Sequence, residues 1–411
     1  MATEASAAKT RPIVGMSFET DSLDTGDIHD QLNQLWAQLG GPPNAGQAFG
    51  EMVAEPHFGG GGLMRANTLN LIAVARNQRE ASLVTDTVAH LRDFLPSRTI
   101  ILAPRSPEDD AARSGSAYEV RLELKEQVIG SDAPAFRFET ITITSGVSEL
   151  GHLASFVSPL LAAELTDFLW WPGGDFSRNP LFEDLVRIVD RVIVDSGHLG
   201  NDLSGVAMMR DLLDDDDPGS PIIGDFTWLR LAPWRQLIAQ FFDPPDVQQS
   251  LTAIEDISIS YADSREDGSS GLASALLTVG WLGSRLGWEV MDRLEKRKSG
   301  GFSAPLRAVD ASGRGREISL RLLPDMSPHA RFSLRRVEIT AGGAHPGSFK
   351  VERTDAEDMI TSSETESVPF VSRMVYARRP ASQEMLGEEL QRFGHDRVFE
   401  DALRFATNLL P

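Results

Sequence analysis

The chain has 411 residues, with 60 acidic against 39 basic side chains, a formal net charge of −21 and no cysteine. That balance opposes non-specific nucleic-acid binding and docking on anionic membranes, both of which need clustered Lys and Arg. The lack of cysteine excludes disulfides, thiolate metal sites and thiol nucleophiles within the chain. With 41% apolar residues the chain is expected to fold, and its length exceeds one ordinary core. No apolar run approaches the ~18 residues of a membrane span. The first fifteen residues lack the apolar centre of a signal peptide, so a cytoplasmic protein of two domains is expected.

Residues 1–20 are small and polar and read as a tail. Ile28, Leu32, Leu35, Trp36 and Leu39 then recur every three or four positions, one face of an amphipathic helix stopped by Gly40-Gly41-Pro42-Pro43. The stretch to Gly62 is rich in Gly and Pro and reads as a loop. A β-rich run (RANTLNLIAVA, 65–75), a helix carrying Leu83, Val84, Val88, Leu91 and Leu95, and the short strand SRTIILAP follow as an α/β unit. YEVRLELKE and RFETITIT alternate with period two, implying one wet and one buried face. Next come a helix over ELGHLASFVSPLLAAEL, the strand DFLWW, a helix over NPLFEDLVRIVD and the strand RVIVDS. Short apolar strands separated by helices suit a sheet covered on both faces.

LLDDDDPGSP, Leu212–Pro221, is a charged, proline-containing break and a candidate boundary. Beyond it lie the Trp-rich segment DFTWLRLAPWRQLIAQFF, the strand IEDISISYA and a long helix over GLASALLTVGWLGSRLGWEVMDRLEKR. Strand pairs with turns at Ser312-Gly313 and Gly342-Gly343 follow, and helical segments close the chain. The expected organisation is a tail and helix over 1–45, an N-terminal α/β sandwich domain over 46–218, and a C-terminal mixed α/β or α+β domain over 219–411.

Most candidate chemistries fail on context. The run FGGGGLM has no preceding strand and no Gly-Lys-Ser/Thr after it, so it lacks the geometry of a phosphate-binding loop. The eight histidines are scattered, and Asp214–Asp217 lacks the alternating ligands of a calcium loop. VDSGHLG brings Asp195, Ser196 and His198 too close in sequence for a triad, and reads as a strand end with a capping turn. No catalytic set, cofactor site or metal site is expected.

Two aromatic segments remain. Asp225 is placed as a helix N-cap, and Pro233 should kink or divide the helix that follows. If the helix ran through, Arg230, Trp234, Leu237, Ile238 and Phe241 would share a face. An arginine on an apolar stripe pairs with a carboxylate, stacks on an aromatic, or meets a partner. Trp170 and Trp171 are consecutive in a strand, so their rings point to opposite faces. Both can be core, or one can serve a site or interface. Pro172-Gly173-Gly174 should end that strand in a turn that accepts positive φ.

The segments RANTLNLIAVA, PSRTIIL, FLWWPG, PLFEDLVRIVDRVIVDS, DFTWLRLAPWRQLIAQFFD and LLTVGWLGSRLGW occur in this order. Together they resemble the OpcA family of glucose-6-phosphate dehydrogenase assembly proteins. The most telling pieces are the Trp-Trp-Pro strand end and the pattern Trp228, Arg230, Trp234, Arg235. The resemblance implies a non-catalytic cytoplasmic protein that binds glucose-6-phosphate dehydrogenase, favours its active oligomer and serves NADPH supply by the oxidative pentose phosphate route. Trp228, Arg230, Trp234 and Arg235, then Trp170 and Trp171, are the expected partner contacts. Cyanobacterial members of the family use cysteines in thioredoxin-linked control, which this cysteine-free chain does not carry. An alternative of another class is a sugar-phosphate or nucleotide enzyme or sensor at the strand ends of the first domain, with Arg98 and Arg178 as anion contacts.

Overall fold

A computed structural model of the chain describes residues 14–20, 23–38, 68–91, 95–106, 118–128, 135–146, 149–199, 203–213, 219–263, 270–309, 315–326, 334–354, 358–366 and 369–411. The expected loop from residue 40 to Gly62 with its four-glycine run, the acidic run at 214–217 and the turn at Ser312-Gly313 lie outside the described residues. Two compact units emerge, Met1–Pro172 with Arg178–Ile193, and Gly173–Ser177 with Val194–Pro411. Among the described residues no helix is long and apolar enough to cross a membrane.

The first unit contains β1 (Val14–Thr20), α1 (Thr25–Gln38), β2 (Leu69–Val74), α2 (Gln78–Leu91), β3 (Arg98–Pro104), β4 (Tyr118–Val128), β5 (Ala135–Ser145), α3 (Ala154–Val157), β6 (Thr166–Trp171), α4 (Pro180–Val186) and β7 (Arg191–Val194), which leads out of it. Its sheet runs β1-β4-β5-β3-β2-β6-β7. β2 is parallel to β3 and β6, and β3 to β5, whereas β4 is antiparallel to β1 and β5. Every residue of β2 and β3 is buried, as a sheet with both faces covered requires. β4 instead alternates, Val120, Leu122 and Leu124 being sealed while Arg121 is exposed. Trp170 and Trp171 are fully buried, and Trp171 meets Phe182 of α4 edge-on at 5.1 Å.

The core of this unit also holds a charge pair. Arg98 Nε donates to Glu139 Oε2 at 2.6 Å and Arg98 Nη1 to the Leu160 carbonyl at 2.9 Å. Trp36 Nε1, from the inner face of α1, donates to Glu139 Oε1 at 2.5 Å. The two charged side chains are 3% and 0% exposed, so the pair is stable only because these neighbours satisfy it.

Two expectations are corrected here. The polar N-terminal tail contains β1, in register with β4 from Val14 opposite Glu126 to Thr20 opposite Val120. An edge strand with one wet face needs apolar residues only at alternate positions, which hides it in composition. The helix expected over 149–165 is broken into a 3-10 turn at Leu150–His152, α3, and a second turn at Ser158–Leu160. Pro159 has no N–H to continue the ladder, and Leu161 turns extended.

The second unit contains α5 (Ser204–Arg210), β8 (Ile222–Asp225), α6 (Phe226–Arg230), α7 (Ala232–Gln240), α8 (Pro245–Gln248), β9 (Ile254–Ala262), α9 (Leu272–Leu286), β10 (Glu289–Val290), β11 (Glu295–Lys296), β12 (Phe302–Val309), β13 (Gly315–Asp325), β14 (Leu334–Ala341), β15 (Gly347–Arg353), β16 (Asp358–Thr365), β17 (Val371–Tyr376), α10 (Ser382–Gln391) and α11 (Arg397–Asn408). Its large sheet runs β10-β12-β13-β9-β14-β15-β16-β17, with β11 added at β12. β9 and β13 are parallel, while the pairs from β14 to β17 are antiparallel. The two-domain α/β reading is thus met by two mixed sheets. The long helix expected through residue 297 ends at Leu286, because Gly287 turns left-handed at φ +64 and Trp288 N closes on Gly283 O at 2.9 Å. Short α5 and β8, of seven and four residues, carry too few positions to show a period in the sequence.

Candidate functional site

A buried polar cluster of the second unit forms where the chain leaves β7. Asp195, extended at φ −126 and ψ 93, precedes a 3-10 turn over Ser196–His198. Its carboxylate accepts from Arg230 Nη1 at 3.1 Å, from Arg230 Nη2, and from Thr227 Oγ1 at 3.1 Å, and its Oδ2 lies 2.8 Å from His198 Nδ1. Thr227 Oγ1 also accepts from Gly197 N at 2.9 Å. Burial alone would push the Asp195 carboxyl up, but the Arg230 guanidinium, the His198 ring and the hydrogen bonds from His198 and Thr227 hold it well below the usual carboxylate range. The loop Gly173–Ser177 joins here: Gly174, at φ +70, donates its N–H to the His198 carbonyl at 2.7 Å. The expected positive-φ turn therefore positions this cluster.

Asp225 supplies the second support. As N-cap of α6 it accepts from Thr227 N at 3.1 Å and Trp228 N at 3.3 Å, and it also takes Ser196 N at 2.9 Å and Ser196 Oγ at 2.8 Å. Burial and the nearby Asp195 charge push its carboxyl up to about 6, against the lowering effect of the Ser196 bonds and Arg230. Pro233 divides the helix as expected: α6 ends at Arg230, Leu231 bridges, and α7 begins with Pro233 in its first turn. The break sends Arg230 to Asp195 while α7 keeps its own apolar face of Trp234, Leu237 and Ile238.

Arg235 lies over the Trp228 ring, 3.5 Å from its centroid, and donates to the Trp228 carbonyl at 2.8 Å. Burial lowers its guanidinium to about 10, so it stays charged near neutrality. Trp228 Nε1 donates to Asp396 Oδ2 at 2.9 Å, and Asp396 caps α11 through Phe399 N at 3.0 Å. Trp228 also packs on Phe399 at 5.5 Å. The Trp228–Arg235 pattern is thus a bracket between α6, α7 and α11.

Beside this bracket opens a cleft of about 220 Å³. His198, Arg230, Arg353, Arg378 and Arg379 line it with Trp234 and Met385, and among the described residues no carboxylate lines it. Arg353, at the end of β15, is 4% exposed and donates to the Ala377 carbonyl at 3.1 Å. That bond pins the segment carrying Arg378 and Arg379. Arg378 is braced from outside by both oxygens of Glu384, at 2.8 and 2.9 Å.

The expected contact residues therefore separate. Trp170 and Trp171 belong to the core of the first unit, and Trp228 and Trp234 are each 2% exposed in the second. Arg230 and Arg235 keep partly exposed side chains. Arg98, expected as an anion contact, is instead sealed against Glu139, and Arg178 is an exposed residue at φ +59. The turn residues Asp195, Ser196 and His198, read from sequence only as a cap, are the hub of the cluster. Arg353, Arg378 and Arg379 carried no local signal beyond the adjacent pair Arg378-Arg379 before Pro380.

Residues 89–211 match the family described as glucose-6-phosphate dehydrogenase subunit N-terminal domain, and residues 221–403 the corresponding C-terminal domain. The two matches leave 212–220 between them. Relatives bearing the provisional name OxPP cycle protein OpcA are 30% identical over 343 residues in Synechocystis sp., covering 80% of this chain and 66% of that one, and 27% identical over 320 residues in Nostoc punctiforme, covering 76% and 65%. The chain thus spans less than two thirds of the length of these relatives. A crystal structure of a super-repressor mutant of Gal80p from Saccharomyces cerevisiae aligns with 84% of this chain and 94% of its own at 11% identity, with a TM-score of 0.40 that supports no inference. Both halves of the chain match in order, and with its OpcA relatives this establishes that the chain belongs to the OpcA family.

Proposed function

We propose that the chain is a non-catalytic assembly factor and allosteric activator of glucose-6-phosphate dehydrogenase, acting in the cytoplasm to support the oxidative pentose phosphate pathway and NADPH supply. The observation that carries this reading is the ordered pair of matches at 89–211 and 221–403, both described as domains of a glucose-6-phosphate dehydrogenase subunit. The mechanism is linkage: a protein that binds the competent form of the enzyme more tightly shifts the population toward that form, by no more than the affinity difference.

The proposed contact element is the stretch Trp228–Arg235 with the rest of α7, and Trp170 and Trp171 support it only through the stability of their own unit. Since Trp228 and Trp234 are buried, contact falls to the partly exposed Arg230 and Arg235 and to exposed Ala232, Gln236, Ala239 and Gln240. The test is to mix the purified chain with the dehydrogenase of its own source, follow co-elution by size exclusion, and measure KM and kcat. Co-elution with a change in either constant is expected. Separate elution with unchanged kinetics would end this reading.

A further inference from the structure

We infer that the outer edge of β17 is a self-association site, at which this strand pairs antiparallel with β17 of a second copy of the chain. This goes beyond the dehydrogenase reading and is independent of it. β17 ends the strand order of the large sheet, so among the described residues one side of its backbone has no strand neighbour. A row of N–H and C=O groups left in that way is a template for another strand. Natural sheets blunt such edges by shortness or by charge. At the opposite end of the same sheet, β10 is two residues long with Glu289 exposed. The edge strand β1 of the first unit carries Glu19, exposed and paired with Arg121. β17 has neither protection in full: it runs for six residues, VSRMVY, with one charge and no proline. On it Met374 and Tyr376 are 68% and 74% exposed, and Phe370 just before it is 65% exposed. Large apolar side chains therefore surround an open backbone edge.

The strand meets the requirements of its own partner. Two copies related by a two-fold axis pair antiparallel, and directly opposed residues share a face, so the axis falls on a residue and not between two. Only centres at Arg373 or Met374 keep five of the six residues paired; every other centre keeps three or fewer. A centre at Arg373 opposes two like charges, which destabilises the pair. A centre at Met374 sets Arg373 against the partner's Val375 and Ser372 against the partner's Tyr376, with no like charges opposed. Met374 then meets the partner's Met374, and Ile360, opposite Met374 on β16, extends the apolar strip on each side. Tyr376 lies diagonal to the partner's Met374, within reach of a sulfur–aromatic contact. The two-fold closes on itself, so association stops at a dimer. The contact is small and both copies carry −21, which places the dissociation constant in the micromolar range.

The test is sedimentation velocity of the full chain alone over a wide range of concentration, with a shift from monomer to dimer expected. M374E opposes two carboxylates at the centre and should weaken the dimer on the order of tenfold or more. Met374 is mostly exposed, so the substitution should leave the fold intact, which circular dichroism checks. Because the chain has no cysteine, a single introduced thiol can form a disulfide only between copies. M374C should give a covalent dimer under mild oxidation with copper phenanthroline, whereas E364C, exposed on β16, should stay largely monomeric. A wild-type chain that is monomeric throughout, a folded M374E chain that associates as the wild type does, or M374C linking no faster than E364C would overturn the inference. So would protection of M374C from modification only when the dehydrogenase is added, which would give the edge to the enzyme. The arms without the dehydrogenase fail or succeed separately from the assembly reading.

Discussion

Each unit contains a buried arginine–carboxylate pair, and the two differ in what surrounds them. In the first, Arg98 and Glu139 are 3% and 0% exposed and they also bond Trp36 and the Leu160 carbonyl. In the second, Arg230 and Asp195 are 18% and 7% exposed, and they also bond Thr227, His198 and the Met385 sulfur beside an open cleft. The same chemistry thus closes a core in one place and shapes a recess in the other. What decides between the outcomes is access of water: a sealed pair must be satisfied entirely by protein, whereas a pair at a rim leaves its cation available to an incoming anion.

The sharpest way to break this comparison is to remove one partner from each pair. Glu139→Ala leaves Arg98 charged and sealed, and should cost about 3–5 kcal/mol in chemical denaturation. If that loss is no larger than for Asp195→Ala, the contrast in solvation is wrong. The second test uses pH at Asp225, whose folded carboxyl stands at about 6 against about 3.9 when unfolded. The folded state holds the extra proton between these values, so this group's contribution is fully present below about pH 4 and is lost as pH rises through 6. Asp225→Asn should therefore gain on the wild type by up to about 3 kcal/mol as pH is raised from 4 to 7, read from thermal melts across that range. A constant difference would remove the charged, buried Asp225 from the account. Asp195→Ala comes next, at about 1.5–3 kcal/mol, because water reaches the abandoned Arg230. The smallest effect is expected for Arg235→Gln, which ends the stacking on Trp228 and should cost about 1 kcal/mol with little change elsewhere.

Much of this architecture was legible in order along the chain. Ile28, Leu32, Leu35 and Trp36 fall on the buried face of α1 as their spacing requires, and Trp170 and Trp171 are buried on opposite faces of β6 as consecutive strand residues must be. Asp225 caps α6 and Pro233 breaks the helix, both from local chemistry. The failures have equally local causes. β1 is a half-wet edge strand, the helix before β6 is interrupted at Pro159, and Gly287 stops α9 in the midst of an apolar pattern that otherwise continues.

Periodicity reports how one element meets its immediate surroundings, and it was enough for the two-domain α/β organisation and for the segment order that marks the family. The cleft required something else. His198, Arg230, Arg353 and Arg378 are spread over 180 positions and meet only when the β7 exit, the α6–α7 break, the end of β15 and the start of α10 are folded together. No single segment carries that recess, since its lining residues come from separate elements of the chain. Only the tertiary structure decided which of these side chains share a cavity, because long-range packing alone sets both distance and solvent access.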